Sequence, residues 1–415
     1  MIIIKGRVID GNGGVPVEKG AVVIEDDRIR LVCREADLPE YPDSPEIQVF
    51  EVEDGSILPG LIDAHVHMGW GSAKAIDWIG STPQMQTCLA LRDMAQLRAS
   101  GYTAFRDLGS DVVLMRPAAE AGLISVPRIF AAGRILTQIG GHGDPYHKIT
   151  VEASKAIYNV AYIVNGVDEV REACRRNARN GADLIKIMTT GGVFSNGDKA
   201  GEISHFSRDE IRAAVEEAEN MGSYVSSHAQ ANRGIRTALE CGVKSIEHGF
   251  YLDDYCIDLM VKNGCWYVPT LSIMHTSKVY FETREGVLPY LKEKTLRSYE
   301  AHYRAVEKAR RAGVKIGMGC DFLGDAEFGC SYDKATMEFE RMAAAGFTPL
   351  EIIRMATKIN SELLLMSDRL GTLEEGKLAD VILVKGDMSA SVTPITDAEN
   401  VKLAVQDGKI VKNIM

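Results

Sequence analysis

The sequence predicts an α/β chain: a (β/α)8 barrel over residues 58–370, joined to a small β-sandwich domain made from residues 1–57 and 371–415. Three observations carry this expectation. Eight short apolar runs recur through the middle of the chain, and amphipathic stretches of helical period intervene. The two ends share a pattern of short strands broken at Asp-Asp or Asp-Gly. Most of the eight runs also end in a residue able to do chemistry, as expected of a barrel whose active groups sit at the C-terminal ends of its strands.

Taken in order, residues 2–4, 6–10 and 21–29 alternate or run apolar between Gly and Asp turns, and 379–384 and 401–411 repeat the pattern at the far end. Between them the eight runs fall at 61–67, 102–107, 128–132, 184–188, 224–230, 245–248, 267–271 and 315–321. Helical patterns occupy 84–100, 168–180, 207–221, 232–241, 254–263 and 291–312. One connection is long. Residues 133–166, with Gly140-Gly141-His142-Gly143-Asp144-Pro145, read as a lid over the barrel mouth, because so long a loop in a compact domain is usually functional.

Composition narrows the class. At 415 residues, 46% hydrophobic and 25% charged, the chain has the means for a large core. A formal net charge of −11 argues against a general nucleic-acid or anionic-membrane partner. Met1 leads into Ile-Ile-Ile-Lys without a signal-peptide pattern, and no segment has the length to span a bilayer. The eight cysteines are scattered with no Cys-x-x-Cys pair, which fits reduced thiols and a cytoplasmic location.

The chemistry begins at Asp63-Ala64-His65-Val66-His67, where strand alternation puts His65 and His67 on one face, able to share a metal ion. Lys186 lies inside the buried run Leu184–Met188, with Ile185 and Ile187 facing the other way. It is either an edge lysine that snorkels or one whose lowered pKa lets it react with CO₂, giving a carboxylate able to bridge two metals. His228 ends the fifth run and His248 the sixth, each as a ligand or as a satisfied core histidine. Asp321 ends the eighth run behind Gly317 and Gly319, as a ligand or a helix cap. Arg106 and Arg134, at the ends of the second and third runs, suit either a substrate carboxylate or an ion pair within the barrel.

His-x-His, Lys, His, His and Asp at the ends of the first, fourth, fifth, sixth and eighth runs resemble the amidohydrolase superfamily. Within it, Leu58-Pro59-Gly60 before the histidine pair, Ile185-Lys186-Ile187-Met188, Gly191-Gly192-Val193, Ile246-Glu247-His248-Gly249 and the His142 loop resemble the imidazolonepropionase-like branch of metal-dependent dipeptidases and carboxypeptidases, which includes Xaa-Pro dipeptidases. The resemblance covers essentially the whole chain. It implies two divalent ions, zinc among the metals that suit such mixed ligands. His65, His67 and Asp321 would hold one, His228 and His248 the other, with N-carboxylated Lys186 and a hydroxide bridging them.

On the same resemblance, Asp321 handles the proton, and His142 stabilises the oxyanion or contacts substrate. A position often held by tyrosine in the branch is Gln230 here, on the face of His228 and able to donate a hydrogen bond. That departure bears on dipeptide specificity. The implied activity is hydrolysis of the amide bond of dipeptides or N-acyl amino acids. The alternative substrate is a lactam, carbamate, aryl urea or other xenobiotic amide. A non-catalytic scaffold is disfavoured, since all six ligand positions are filled. The partner is thus a small amide or peptide, and homo-oligomerisation is implied by resemblance alone. His147, His205, His275 and His302 match no motif, although His147 and His205 lie in mouth-side loops within reach of substrate. Arg233 reads as opening a helix, and Tyr251 as either packing or a substrate contact.

Overall fold

A computed structural model describes all residues except 145–148, 158–159, 194, 196–201 and 288, with backbone alone at 75, 79 and 157. Eight parallel barrel strands are present: Leu61–Val66, Tyr102–Asp107, Arg128–Ala131, Ile185–Met188, Val225–Ala229, Ser245–His248, Trp266–Val268 and Lys315–Ile316. Consecutive strands pair directly from the first to the third and from the fourth to the eighth. The remaining two seams are closed by a few contacts each. Asp183 N–H donates to Ala131 O at 2.8 Å, and Ala64 N–H donates to Met318 O at 2.9 Å. At that last seam Gly319 matters, because a Cβ there would lie 2.6 Å from both the Cβ and the backbone nitrogen of His65. Only glycine lets the eighth strand's extension run this close to the first histidine.

The six helical patterns become helices whose ends lie within two residues of those expected. Local chemistry sets several of these ends. Ser207 and Glu210 form a capping box, Asp253 caps the helix Asp254–Asn263, and Gly264 closes it in a left-handed turn. The 133–166 connection departs from expectation. It carries a helix, Val151–Ile157, and two strands, Ile135–Gln138 and Ala161–Val164, paired in parallel. Ile135–Gln138 extends the third strand past a bend and touches the fourth at Ile187. Among the connection's described residues, Ile135, Val160 and the glycine-rich tip around His142 line the barrel mouth.

The two chain ends supply one seven-stranded mixed sheet. Its strands are Ile2–Val8, Val17–Glu25, Arg28–Arg34, Gln48–Pro59, Val381–Lys385, Val401–Gln406 and Lys409–Asn413. Alternation gives it two apolar faces. Ile2, Ile4, Val22, Ile24, Leu383 and Val405 pack together in a sandwich-like core of their own. Leu58, Ile382, Val384 and Val401 face the other way and join the main core that contains Met94, Leu97 and Tyr102 of the barrel. All eight cysteines are free thiols. Among the described residues, no helix is long and apolar enough to cross a membrane.

Candidate metal centre

Strand geometry delivers most of the chemistry-bearing side chains to one end of the barrel. His65 lies within the first strand and His67 just past it, Lys186 within the fourth, His228 within the fifth. His248 and Asp321 need something more. Ser245 and Glu247 point into the barrel interior, so simple alternation would turn His248 outward. The backbone at His248 is instead left-handed (φ 72°), as it is at Asp321 (φ 57°) and at Thr270 (φ 59°) beyond the seventh strand. Non-glycine residues held there cost about 1–3 kcal/mol each and concentrate where function over-determines the backbone.

These bends bring the groups together. Asp321 Oδ1 lies 3.3 Å from Nε2 of His65 and 3.1 Å from Nε2 of His67, and Asp321 Oδ2 lies 3.8 Å from Nδ1 of His248. His65, His248 and Asp321 each offer a ligand atom within 4.8 Å of the others, close enough to hold one metal ion. This tightest trio crosses the division implied by resemblance, in which His248 belonged with His228. The His228 ring sits beside that of His248 with centroids 4.5 Å apart.

Hydrogen bonds behind the imidazoles fix their tautomers. His65 Nδ1–H donates to Glu247 Oε2 at 2.8 Å, leaving the Nε2 lone pair toward Asp321. His228 Nε2–H donates to the Gly191 carbonyl at 3.2 Å, leaving Nδ1 as its lone-pair nitrogen. Thr270 Oγ1 meets His248 Nδ1 at 2.8 Å. Burial keeps these rings neutral. It pushes His65 down to about 4 against the pull of Asp321, and His228 and His248 well below the ordinary histidine value. For Asp321, burial works upward, but His65 and His67 outweigh it and hold the carboxyl below its usual range. Neutral imidazoles around an ionised carboxylate are the protonation states a cation requires.

Lys186 stands among them, 1% exposed, its Nζ without a hydrogen-bond partner. Burial lowers its pKa to about 8, only partly offset by Glu247 and Asp321.

Above this floor opens a cleft of about 380 Å³, within the range of small-molecule sites. His142 lines it, stacked on the His228 ring at 4.2 Å with Nδ1 2.7 Å from Ser195 Oγ. Burial, helped by His205, pushes His142 down to about 3. Gln230 lines the cleft too, its Oε1 accepting from Val193 N–H at 3.1 Å.

The two arginines are a correction. Arg106 is fully buried, donating to Glu247 Oε1 at 2.8 Å and to the Ala64 carbonyl at 2.6 Å. Arg134 grips Asp111 through Nε at 3.2 Å and Nη2 at 2.9 Å. Neither lines the cleft, so both are ion-pair partners and not substrate contacts. His205 does line it, with Nδ1 buried and unpartnered. His147 lies outside the described residues, and Arg233, Tyr251, His275 and His302 are absent from the lining. Glu247 is the participant that sequence reasoning missed. Its one signal was a carboxylate in the middle of an otherwise buried strand run.

Comparison with known proteins agrees with this geometry. The model of the amidohydrolase family matches residues 56–411. Ochratoxinase of Aspergillus niger is 31% identical over 99% of this chain and 86% of its own length. Its crystal structure superposes with a TM-score of 0.90 at 28% identity, over 99% of this chain and 95% of that one. A Xaa-Pro dipeptidase with methionine bound in its active site gives 0.86 at 31% identity, over 99% of this chain and all (100%) of that one. A prolidase complexed with N-methylphosphonate-L-proline gives 0.89 at 33% identity, over 99% of each chain.

Proposed function

This chain belongs to the amidohydrolase family, metal-dependent hydrolases of carbon–nitrogen bonds, and from that premise we propose that it cleaves the amide bond of dipeptides or N-acyl amino acids. The observation that carries the reading is the ring of buried, neutral imidazoles around an ionised Asp321 at the floor of a small-molecule cleft.

The donor set suits two divalent ions. His65, His67 and Asp321 would hold one and His228 and His248 the other, with Lys186 between them. The bare, buried Nζ of Lys186 supports its carboxylation, since an amine near pKa 8 is partly unprotonated and nucleophilic toward CO₂ at neutral pH. Nitrogen and oxygen donors of this kind suit zinc. Bound there, such ions supply Lewis acidity and a water ionised near neutrality.

The rest is the work of the chain's own residues. Asp321 takes a proton from the attacking water on a carboxylate oxygen and passes it to the leaving nitrogen. With Ser195 donating to its Nδ1, neutral His142 turns Nε2–H toward the substrate carbonyl, where charge develops during attack. Gln230, its Oε1 already committed to Val193, offers its amide N–H₂ to substrate.

A second reading keeps the machinery and changes the substrate to an apolar amide, such as a xenobiotic amide, carbamate or lactam. One observation favours it: among the described residues, Lys186 is the sole lysine or arginine lining the cleft. A free substrate carboxylate thus lacks an arginine clamp there. We further propose a cytoplasmic enzyme, consistent with its eight free thiols.

The test is hydrolysis of a library of L,L-dipeptides, N-acyl amino acids and neutral amides by zinc-reconstituted protein with metal content measured. Release of amino acids from the first two classes, lost by about 10²–10⁴-fold in kcat on Asp321→Asn, supports the principal reading. Turnover confined to neutral amides selects the second.

A further inference from the structure

The cleft wall beside His67 is aromatic. The Trp70 ring lies with its centroid 4.4 Å from that of His67, and Trp78 lies 4.4 Å beyond Trp70. Both indoles are internally satisfied: Trp70 Nε1–H donates to the Gly109 carbonyl at 2.7 Å and Trp78 Nε1–H to the Ser72 carbonyl at 2.9 Å. With their polar edges bound, what the rings present to the cleft is π-face and hydrocarbon.

Behind them Ile135, Val160 and Met188 form a hydrophobic cluster separate from the barrel core, with both tryptophans packed against it. All five residues line the cleft. The lining's hydrogen-bonding side chains lie elsewhere, on the floor and on the side of His142, Ser195, His205 and Gln230. Two half-buried indoles beside a reaction centre leave apolar surface facing water, an arrangement that marks binding surfaces. The third tryptophan, Trp266, packs on Tyr224 at 5.5 Å and does not line the cleft.

We propose that Trp70 and Trp78 form an aryl subsite, and that the substrates are amides carrying an aromatic ring adjacent to the scissile bond. The ring stacks on the indole wall while the amide lies over the floor. The statement about substrates rests on the amide-hydrolase reading, whereas binding of aromatic groups to the wall does not.

Two matched pairs test it at the reaction: N-benzoyl- against N-cyclohexanecarbonyl-L-leucine, and N-acetyl-L-phenylalanine against N-acetyl-L-cyclohexylalanine. The expected result is a preference of about tenfold in kcat/KM for the aryl member of at least one pair, expressed mainly in KM. In Trp78→Leu that preference falls to within about twofold.

Binding is read independently of turnover by quenching of tryptophan fluorescence with 4-nitrobenzoate on metal-stripped protein. Saturable quenching is expected in wild type and in Trp266→Phe, and its loss in Trp78→Leu. Should Trp78→Leu fail to fold, Trp78→Phe is expected to weaken quenching and preference together. Hydrolysis without aryl preference in either pair overturns the subsite and leaves the reaction standing. Quenching that survives both Trp78 variants overturns it as well. Saturable, Trp78-dependent quenching with no turnover of any amide upholds the subsite and removes the hydrolase reading.

Discussion

Glu247 has no proposed contact with a metal or substrate, yet four side chains converge on it. His65 Nδ1 lies at 2.8 Å, Arg106 Nη2 at 2.8 Å, Ser226 Oγ at 2.7 Å and Ser245 Oγ at 2.5 Å. Burial works to raise its carboxyl, but Arg106 and His65 hold it well below the ordinary range. Glu247→Gln removes the charge that balances fully buried Arg106, a loss of about 3–5 kcal/mol when one partner of a buried pair is taken away. It also frees the His65 ring, and loss of such an orienting partner typically weakens metal affinity by about 10–100-fold. Melting curves and chelator competition measure the two effects, and undiminished metal affinity would refute the orienting role. A second substitution isolates the lid histidine. A Cβ at Gly192 would lie 2.5 Å from Cε1 of His142, so Gly192→Ala displaces a ring end and not backbone. Metal content should hold while kcat falls by about 10²-fold, the scale of losing one oxyanion donor. Residue types alone revealed His65, His67, His228, His248 and Asp321 as candidates. They did not reveal Glu247, because strand alternation sets it against His248, and only the left-handed backbone at His248 brings both inward. Nor could they decide Arg106, whose role depends on where its guanidinium finds a carboxylate.

At the level of elements, the helix Leu271–Thr283 follows the seventh strand through Thr270, whose side chain does not cap it. The cap comes from another helix, Met337–Ala344. Glu338 accepts from Leu271 N–H at 3.0 Å and from Ser272 N–H at 2.7 Å. Burial raises its carboxyl from 4.5 to about 7 even so, with the Ser272 and Leu271 contacts only moderating the shift. A raised folded pKa means that the folded chain keeps this proton over an interval in which the unfolded chain has lost it. The resulting stabilisation is complete below about 4.5 and is lost as pH rises through about 7, an amount of roughly 3 kcal/mol. Glu338→Gln carries no titrating proton. The difference in melting temperature between wild type and variant should therefore change between pH 5 and pH 8, with wild type losing more as pH rises. A pH-independent difference would place the shift elsewhere. This helix is also one that the sequence hid. Leu271, Ser272, Ile273, Met274, Thr276 and Ser277 are all buried, so small polar residues share the buried side with apolar ones and the helical period is blurred. The strands Ile135–Gln138 and Ala161–Val164 were hidden for a simpler reason, being four residues each inside a glycine-rich connection.

Across the whole molecule, the barrel and the terminal sheet are tied at the end of the barrel opposite the candidate metal centre. The sheet strand Gln48–Pro59 continues through Gly60 into the first barrel strand. A Cβ at Gly60 would strike Thr103 Oγ1 at 2.2 Å, so the crossing needs glycine. Much of this plan was legible, because a two-ended sheet needs only matching strand–turn–strand patterns and a barrel needs only eight repeats. The tie between them was not, since it depends on residues far apart in sequence. Arg128, at the N-terminal end of the third barrel strand, donates through Nη1 to Asp380 at 2.7 Å and through Nη2 to Asp407 of the terminal sheet. Asp380 is 5% exposed, so Arg128→Ala strands a nearly buried carboxylate. Partial exposure of Arg128 (18%) and Asp407 (43%) puts the loss at the lower end of the buried-pair range, about 3 kcal/mol. In a (β/α)8 barrel this face serves stability and the opposite face serves chemistry. The expected result is a melting temperature lower by several degrees, with metal bound per folded molecule and kcat unchanged. If metal content fell in step with the melting temperature, the two faces would be coupled, and the terminal sheet would have to be counted among the elements that position His65.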